Sequence, residues 1–153
     1  FHEVAQDYLE GKSLDWESHL PASKFMFHSC KSILDRIDNI HAIERTLFSE
    51  YLGVAGRVDC IAEFDGELAV IDFKTSEYIK PEEWLENYFV QETFYACAYY
   101  EMTGIPVKKL ITIMQCPNGE NHVFDKRNKD EYIKLLVKYI KKFVTTRHLP
   151  NAW

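Results

Sequence analysis

The run Gly56-Arg57-Val58-Asp59-Cys60-Ile61-Ala62-Glu63-Phe64, then Asp65-Gly66, then Glu67-Leu68-Ala69-Val70-Ile71-Asp72-Phe73-Lys74-Thr75, decides the fold. Two β-prone segments joined by Asp-Gly are a strong short-range hairpin signal. With Asp65 and Gly66 as the loop, Phe64 opposes Glu67, and counting away from the turn sets Asp59 opposite Asp72. That pair falls at an open position of the ladder, where facing side chains approach most closely. Their Cβ atoms are then expected roughly 5 Å apart. Side chains alternate along a strand, so Lys74 shares the face of Asp72. The opposite face would carry Val58, Cys60, Ala62, Ala69, Ile71 and Phe73, a core surface.

Like charges opposed in a sheet are destabilising, and half-buried carboxylates are costly unless paired. A divalent cation between Asp59 and Asp72 removes both penalties. Two solvated aspartates on an exposed face are the plain alternative, but Ile61 and Val70 share that face, so it is not simply wetted.

The rest of the chain arranges itself around this hairpin. Residues His2 to Leu9 read as the end of a helix broken near Gly11. Ser23 is placed to cap a second helix carrying Met26, Phe27, Cys30, Ile33, Leu34 and Ile37 at helical spacing. Residues Ala42 to Leu52 suit a strand leading into the hairpin. Pro81, Glu82 and Glu83 open a long helix whose stripe is Trp84, Tyr88, Gln91, Tyr95, Ala98 and Met102, stopped by Gly104 and Pro106. A strand over Lys109 to Cys116, a short one over His122 to Phe124, and a final amphipathic helix through Tyr132, Leu135, Leu136, Tyr139, Ile140 and Phe143 complete the order. The expected fold is mixed α/β: a central mixed sheet flanked by helices, in a single domain over residues 1–153.

Bulk composition narrows the function classes. Hydrophobic content of 46% and aromatic content of 14% over 153 residues fit a folded domain with a sizeable core. A net charge of −6 argues against bulk electrostatic attraction to nucleic acid, although a local basic strip could still serve. No apolar run suffices to span a membrane, and the first residues do not form a signal peptide. The chain begins at Phe1 without an initiator Met, as a fragment or processed form would. Cys30, Cys60, Cys97 and Cys116 are scattered, with no zinc or iron–sulfur spacing, and read as buried thiols of a reducing, cytoplasmic compartment.

Gly56-x-x-Asp59, Asp72-x-Lys74-Thr75 and Gln91-x-x-x-Tyr95 together resemble the RecB-type branch of the PD-(D/E)XK nucleases. Within it they are most similar to the mitochondrial genome maintenance exonucleases and related phage and bacterial exonucleases. The upstream His2, followed by Asp7-Tyr8-Leu9, is similar to the histidine-bearing helix of that branch, and Glu44 to an acidic position there. Val58 stands where the superfamily motif has proline, and the four-cysteine cluster of some relatives is absent.

The resemblance implies a restriction-endonuclease-like core and hydrolysis of phosphodiester bonds in DNA. Asp59 and Asp72 would bind Mg²⁺, with Mn²⁺ as substitute, as hard oxygen donors do. Lys74 would orient the attacking water and stabilise developing negative charge. His2 reads by position alone as a solvated histidine, and by resemblance as a nitrogen ligand. Glu44 is open between a metal or water contact and an ordinary exposed acid. Tyr95 is open between the core stripe and, with Gln91, support for Lys74 or the substrate strand.

Arg45, Arg57 and Lys80 are the nearer candidates for strand contacts, and Tyr78 and Trp84 could stack on bases or pack in the core. Lys134, Lys138, Lys141 and Lys142 read as a solvated face. The leading expectation is a single-stranded DNA exonuclease of replication, repair or recombination, in a bacterial or phage-infected cell. An endonuclease or nickase, or a catalytically idle nucleic-acid-binding or assembly module of the same fold, is the alternative.

Overall fold

The computed structural model describes the backbone of residues 1–18 and 20–147, and side chains of 1–17 and 20–142. Five strands form one sheet in sequence order: β1 (Ile37–Ser49), β2 (Val54–Phe64), β3 (Glu67–Thr75), β4 (Lys109–Gln115) and β5 (Asn121–Arg127). Only β3 and β4 are parallel; the other neighbours are antiparallel. The parallel pair needs a crossover, and α3 (Glu86–Thr103) supplies it. Helices α1 (His2–Leu9) and α2 (Pro21–Leu34) precede the sheet, and α4 (Asp130–Arg147) follows it. The result is the mixed sheet flanked by helices that the sequence implies.

The hairpin forms as the Asp-Gly signal requires. Asp65 and Gly66 both take positive φ, 52° and 85°, which a type I′ turn demands. The ladder runs from Phe64–Glu67 to Cys60–Ile71 in the expected register.

Both faces of the sheet are covered. On one, Ile61, Val70, Leu110 and Met114 pack with Phe89, Phe94 and Tyr95 of α3 and Tyr132, Leu136 and Ile140 of α4. On the other, Cys60, Ala62, Ile71, Phe73, Ile111 and Ile113 pack with Val4 and Ala5 of α1 and Phe27, Cys30 and Leu34 of α2. Every residue of β4 is buried, the pattern of a strand with helices on both sides. Among the described residues no helix is long and apolar enough to cross a membrane.

Several local expectations are corrected. Helix α2 begins at Pro21 with Leu20 before it and no side-chain cap, so Ser23 lies inside the first turn. Ile37 is not helical but opens β1, which therefore starts well before Ala42 and ends at Ser49. Its edge position leaves polar Asn39 and His41 within the strand, and the register shifts between Asp38 and Ala42, which hides the periodicity. The Pro81-Glu82-Glu83 signal opens only a 3₁₀ turn, Glu82–Trp84, and α3 begins after the buried Leu85. Trp84 therefore falls outside α3 and is exposed, and Met102, within α3, is exposed as well, so neither belongs to the buried stripe. Gly104 ends α3 with φ of 76°, as expected. The side chain of Phe143, named in the last stripe, lies outside those described.

Val58 is the informative departure. Alternation assigns it to the face of Cys60, yet it packs with Ile61 and Val70 on the α3 side. The alternation slips at Asp59, and β1 slips with it: Ala42 and Leu47 share that face, with Glu44 between them at φ 45°. The break in the pleat falls at the first aspartate.

Candidate active site

Beyond Cys60–Ile71 the two hairpin strands part. β2 continues on β1, with Val58 opposite Arg45, while β3 continues on β4, with Asp72 opposite Thr112 and Lys74 opposite Met114. Asp59 and Asp72 sit at the mouth of this fork. In an unbroken ladder the Phe73 N–H would bond across to Val58. It donates instead to Asp59 Oδ2 at 2.8 Å. The Phe73 carbonyl accepts a bond of 2.6 Å from His2 Nε2 on α1. Both backbone groups of the residue between Asp72 and Lys74 are thus held by side chains of other site residues.

The electrostatics follow from burial and proximity. Asp72 is only 6% exposed. Burial, joined by the Asp59 carboxyl, pushes it up to about 7, against the opposing pull of Lys74. Burial works the same way at Asp59, but bonds from His2, Asp72 and the Phe73 N–H outweigh it and hold its carboxyl below the usual range. Lys74 Nζ lies 3.0 Å from Asp72 Oδ2. Burial opposes its charge, yet Asp72 prevails and keeps the ammonium above its ordinary pKa, so it is a cation at neutral pH. His2 lies 3.6 Å from Asp59 Oδ2, and that carboxylate raises the imidazole.

The remaining candidate residues fall into two groups. On α3, Gln91 Nε2 donates to Tyr95 Oη at 3.2 Å. Tyr95 is 5% exposed, and burial followed by the Asp72 and Asp59 charges pushes its phenol up to about 12. Its ring packs against Gly56 of β2, three residues before Asp59. Gly56 explains how: a Cβ there would stand 3.1 Å from Tyr95 Cε1 and 3.3 Å from Phe94 Cε2. The glycine of Gly-x-x-Asp admits the two rings against β2. On β1 and β2, Glu44 pairs with Arg57 Nε at 3.0 Å, and Arg45 is exposed. Glu44 is thus spent on an arginine of the neighbouring strand. Lys80, Tyr78 and Trp84 lie on the stretch between β3 and α3, with both rings more than half exposed.

Two residues near the site carried no separable sequence signal. Glu92 is fully buried on α3 and accepts a bond from the Thr112 hydroxyl, the β4 neighbour of Asp72. Burial, and then the Asp72 charge, drives its carboxyl well above the usual range. From sequence it is one acid in a polar triplet. Tyr88, read as part of the core stripe, is half-buried against that core and also turns its ring to Lys74, with Nζ 4.6 Å from the centroid.

Whether this donor set fits a divalent cation follows from its chemistry. Among the described residues no three of His, Cys, Asp and Glu converge into a ready-made metal cluster. What the site offers is two adjoining carboxylates, one held above its ordinary pKa by burial and by the other, a conflict a cation relieves. Two carboxylates with water filling the other positions suit Mg²⁺, which keeps much of its hydration. His2 fits less well, because the nitrogen nearest Asp59 donates to the Phe73 carbonyl and has no lone pair free.

A strand fork with paired aspartates and a following lysine defines a site of the PD-(D/E)XK type. The family model described as the PD-(D/E)XK nuclease superfamily matches residues 2–147, and the chain belongs to that superfamily. It is 34% identical over 96 residues to human mitochondrial genome maintenance exonuclease 1, covering 61% of this chain and 26% of that protein. It is 34% identical over 61 residues to an ATP-dependent helicase/nuclease subunit from Clostridium botulinum, covering 40% of this chain and 5% of that one. A solved structure of an exonuclease candidate from Eubacterium rectale superposes with a TM-score of 0.61 at 11% identity, covering 92% of this chain and 62% of that one. The chain spans about a quarter of the human relative.

Proposed function

We propose that this protein is a metal-dependent DNA nuclease that digests single-stranded DNA from its ends. The observation that carries the reading is the fork: Asp59 and Asp72 adjoin where β2 and β3 part, with the Lys74 ammonium 3.0 Å from Asp72. Superfamily membership and relatives named as exonucleases support it.

Asp59 and Asp72 would hold the divalent ion, Mg²⁺ by the hardness of the donors, with Mn²⁺ as substitute. When bound, the ion supplies polarisation of the scissile phosphate and an acidified water. The chain's own groups do the rest. The Phe73 N–H fixes the Asp59 carboxylate relative to β3, so the two carboxylates present a set spacing. Lys74, charged and half-buried, offers a donor where negative charge develops on the phosphate. In that position it would act as an electrostatic stabiliser and water-orienting donor. His2 fixes α1 to β3 through the Phe73 carbonyl and balances the Asp59 charge.

Preference for one strand rests on the net charge of −6 and on the exposed rings of Tyr78 and Trp84, since stacking supplies affinity without bulk charge. Arg45, Lys80 and, beyond its pair with Glu44, Arg57 are the cations proposed for phosphate contacts. The test is a gel assay of end-labelled linear DNA with Mg²⁺ and with EDTA. Cleavage with the ion and none with the chelator is expected; cleavage at full rate in EDTA overturns the reading.

A further inference from the structure

Helix α3 presents Tyr88, Gln91 and Tyr95 at spacings of three and four residues, so the three side chains leave the helix on one side. The structure assigns them different work. Gln91 donates to Tyr95, so its amide serves the helix. Tyr88 brings its ring to Lys74, with the centroid 4.6 Å from Nζ. Half-buried and packed against the α3-side core, the ring is fixed from behind.

We propose that Tyr88 is a positioning residue whose ring face holds the Lys74 ammonium at the fork, beside Asp72. This rests on the nuclease reading of the site and adds a part to it. A lysine ammonium ends a flexible four-carbon stem, so one contact leaves it many rotamers. Its ion-pair partner is Asp72, and Asp72 is also a proposed ligand of the cation. Once that carboxylate is shared with a divalent ion, its attraction for Lys74 is weakened and the two cations repel. The negative face of an aromatic ring attracts an ammonium without competing for the carboxylate. Tyr88 thus retains Lys74 in the cation-loaded state, when the chemistry needs it.

The experiment has two arms. In wild type, the ring current of Tyr88 shifts the Lys74 ε-methylene protons upfield, with the signal assigned by its loss in Lys74→Ala. Ordinary shifts in the folded wild type overturn the contact, whatever the variants do. In the second arm, a linear single-stranded oligonucleotide is cleaved under saturating Mg²⁺. Tyr88→Leu is expected to lower kcat about 10-fold with KM within about 2-fold, and Tyr88→Phe, which keeps the ring face, to recover most of the loss. Adding Tyr88→Leu to Lys74→Ala should cost nothing further, because the residue acts through the lysine. An equal loss in the Lys74→Ala background, or a rise in KM with kcat unchanged, overturns positioning in favour of a structural or strand-stacking role. If wild type cuts no DNA with Mg²⁺, the nuclease reading fails and the catalytic role of Tyr88 with it, while the proton shifts still decide the contact.

Discussion

Asp59 Oδ2 takes the backbone N–H of Phe73 at 2.8 Å, so the carboxylate of one strand replaces the ladder bond where its partner strand leaves it. The fork and the aspartate pair are therefore one feature. A carboxylate that caps the departing strand also stands where it meets Asp72, and His2 closes the other backbone group of the same residue.

Removing the cation of the site separates chemistry from folding. Lys74→Ala should lose at least about 10²-fold in kcat/KM while the melting temperature stays close to wild type. Activity on a labelled oligonucleotide beside a thermal melt checks it. Retained activity would falsify the assignment of Lys74.

At Asp59, substitution by Asn keeps an oxygen for the Phe73 N–H but removes one of two adjoining charges. Asp59→Asn should be inactive, fold without metal at least as stably as wild type, and let the Asp72 pKa fall from about 7 toward its ordinary value. Carboxyl ¹³C titration by NMR reads the last effect. If the variant unfolds, Asp59 is a structural hydrogen-bonding residue instead.

The buried acids set a pH dependence with a definite sign. Asp72 has an ordinary value of 3.8 and stands at about 7 in the fold. Between those values the folded state holds a proton that the unfolded chain has lost, so stability falls as pH rises through the window and levels above it. Glu92 and His2, both raised, act in the same direction. In EDTA the melting temperature should drop between about pH 5 and about pH 8, and Mg²⁺ or Mn²⁺ at the upper end should restore part of it by binding the ionised pair. A metal-free protein that gains stability across that range contradicts the picture.

Gly56→Ala tests the close approach of α3 to β2. The added methyl would meet the Tyr95 and Phe94 rings at 3.1 and 3.3 Å, and those buried rings have little room to yield. A loss of roughly 1–3 kcal/mol in denaturant unfolding is expected, the usual scale of overpacking. A neutral result would mean that α3 shifts away from β2 without cost.

The topology of the DNA tests the proposed end-directed, single-strand reading. Linear single strands should be degraded faster than duplex, with closed single-stranded circles largely spared, and Tyr78→Ala with Trp84→Ala should raise KM more than they lower kcat. Rapid cutting of a circle identifies an endonuclease and removes the end-directed reading.

By itself the sequence determined the hairpin and its register from Phe64–Glu67 to Cys60–Ile71, because a two-residue Asp-Gly turn and a period of two leave few alternatives; the ladder ends one pair short of the expected opposition of Asp59 and Asp72. It also determined the order of helices and strands and the αL stop at Gly104, which are local. It misplaced the starts of β1 and α3, where an edge strand and a 3₁₀ turn blur the period. Only the tertiary structure decided which neighbour each strand keeps. β3 pairs with β4 across the long connection that carries α3, and that long-range choice opens the fork at the aspartates. It likewise decided that Val58 turns to the α3 side, that Glu92 is buried against Thr112, and that Tyr88 rather than Gln91 meets Lys74. Each depends on how α3 docks on the sheet. Helical spacing shows which residues share a side, but only packing shows what that side meets.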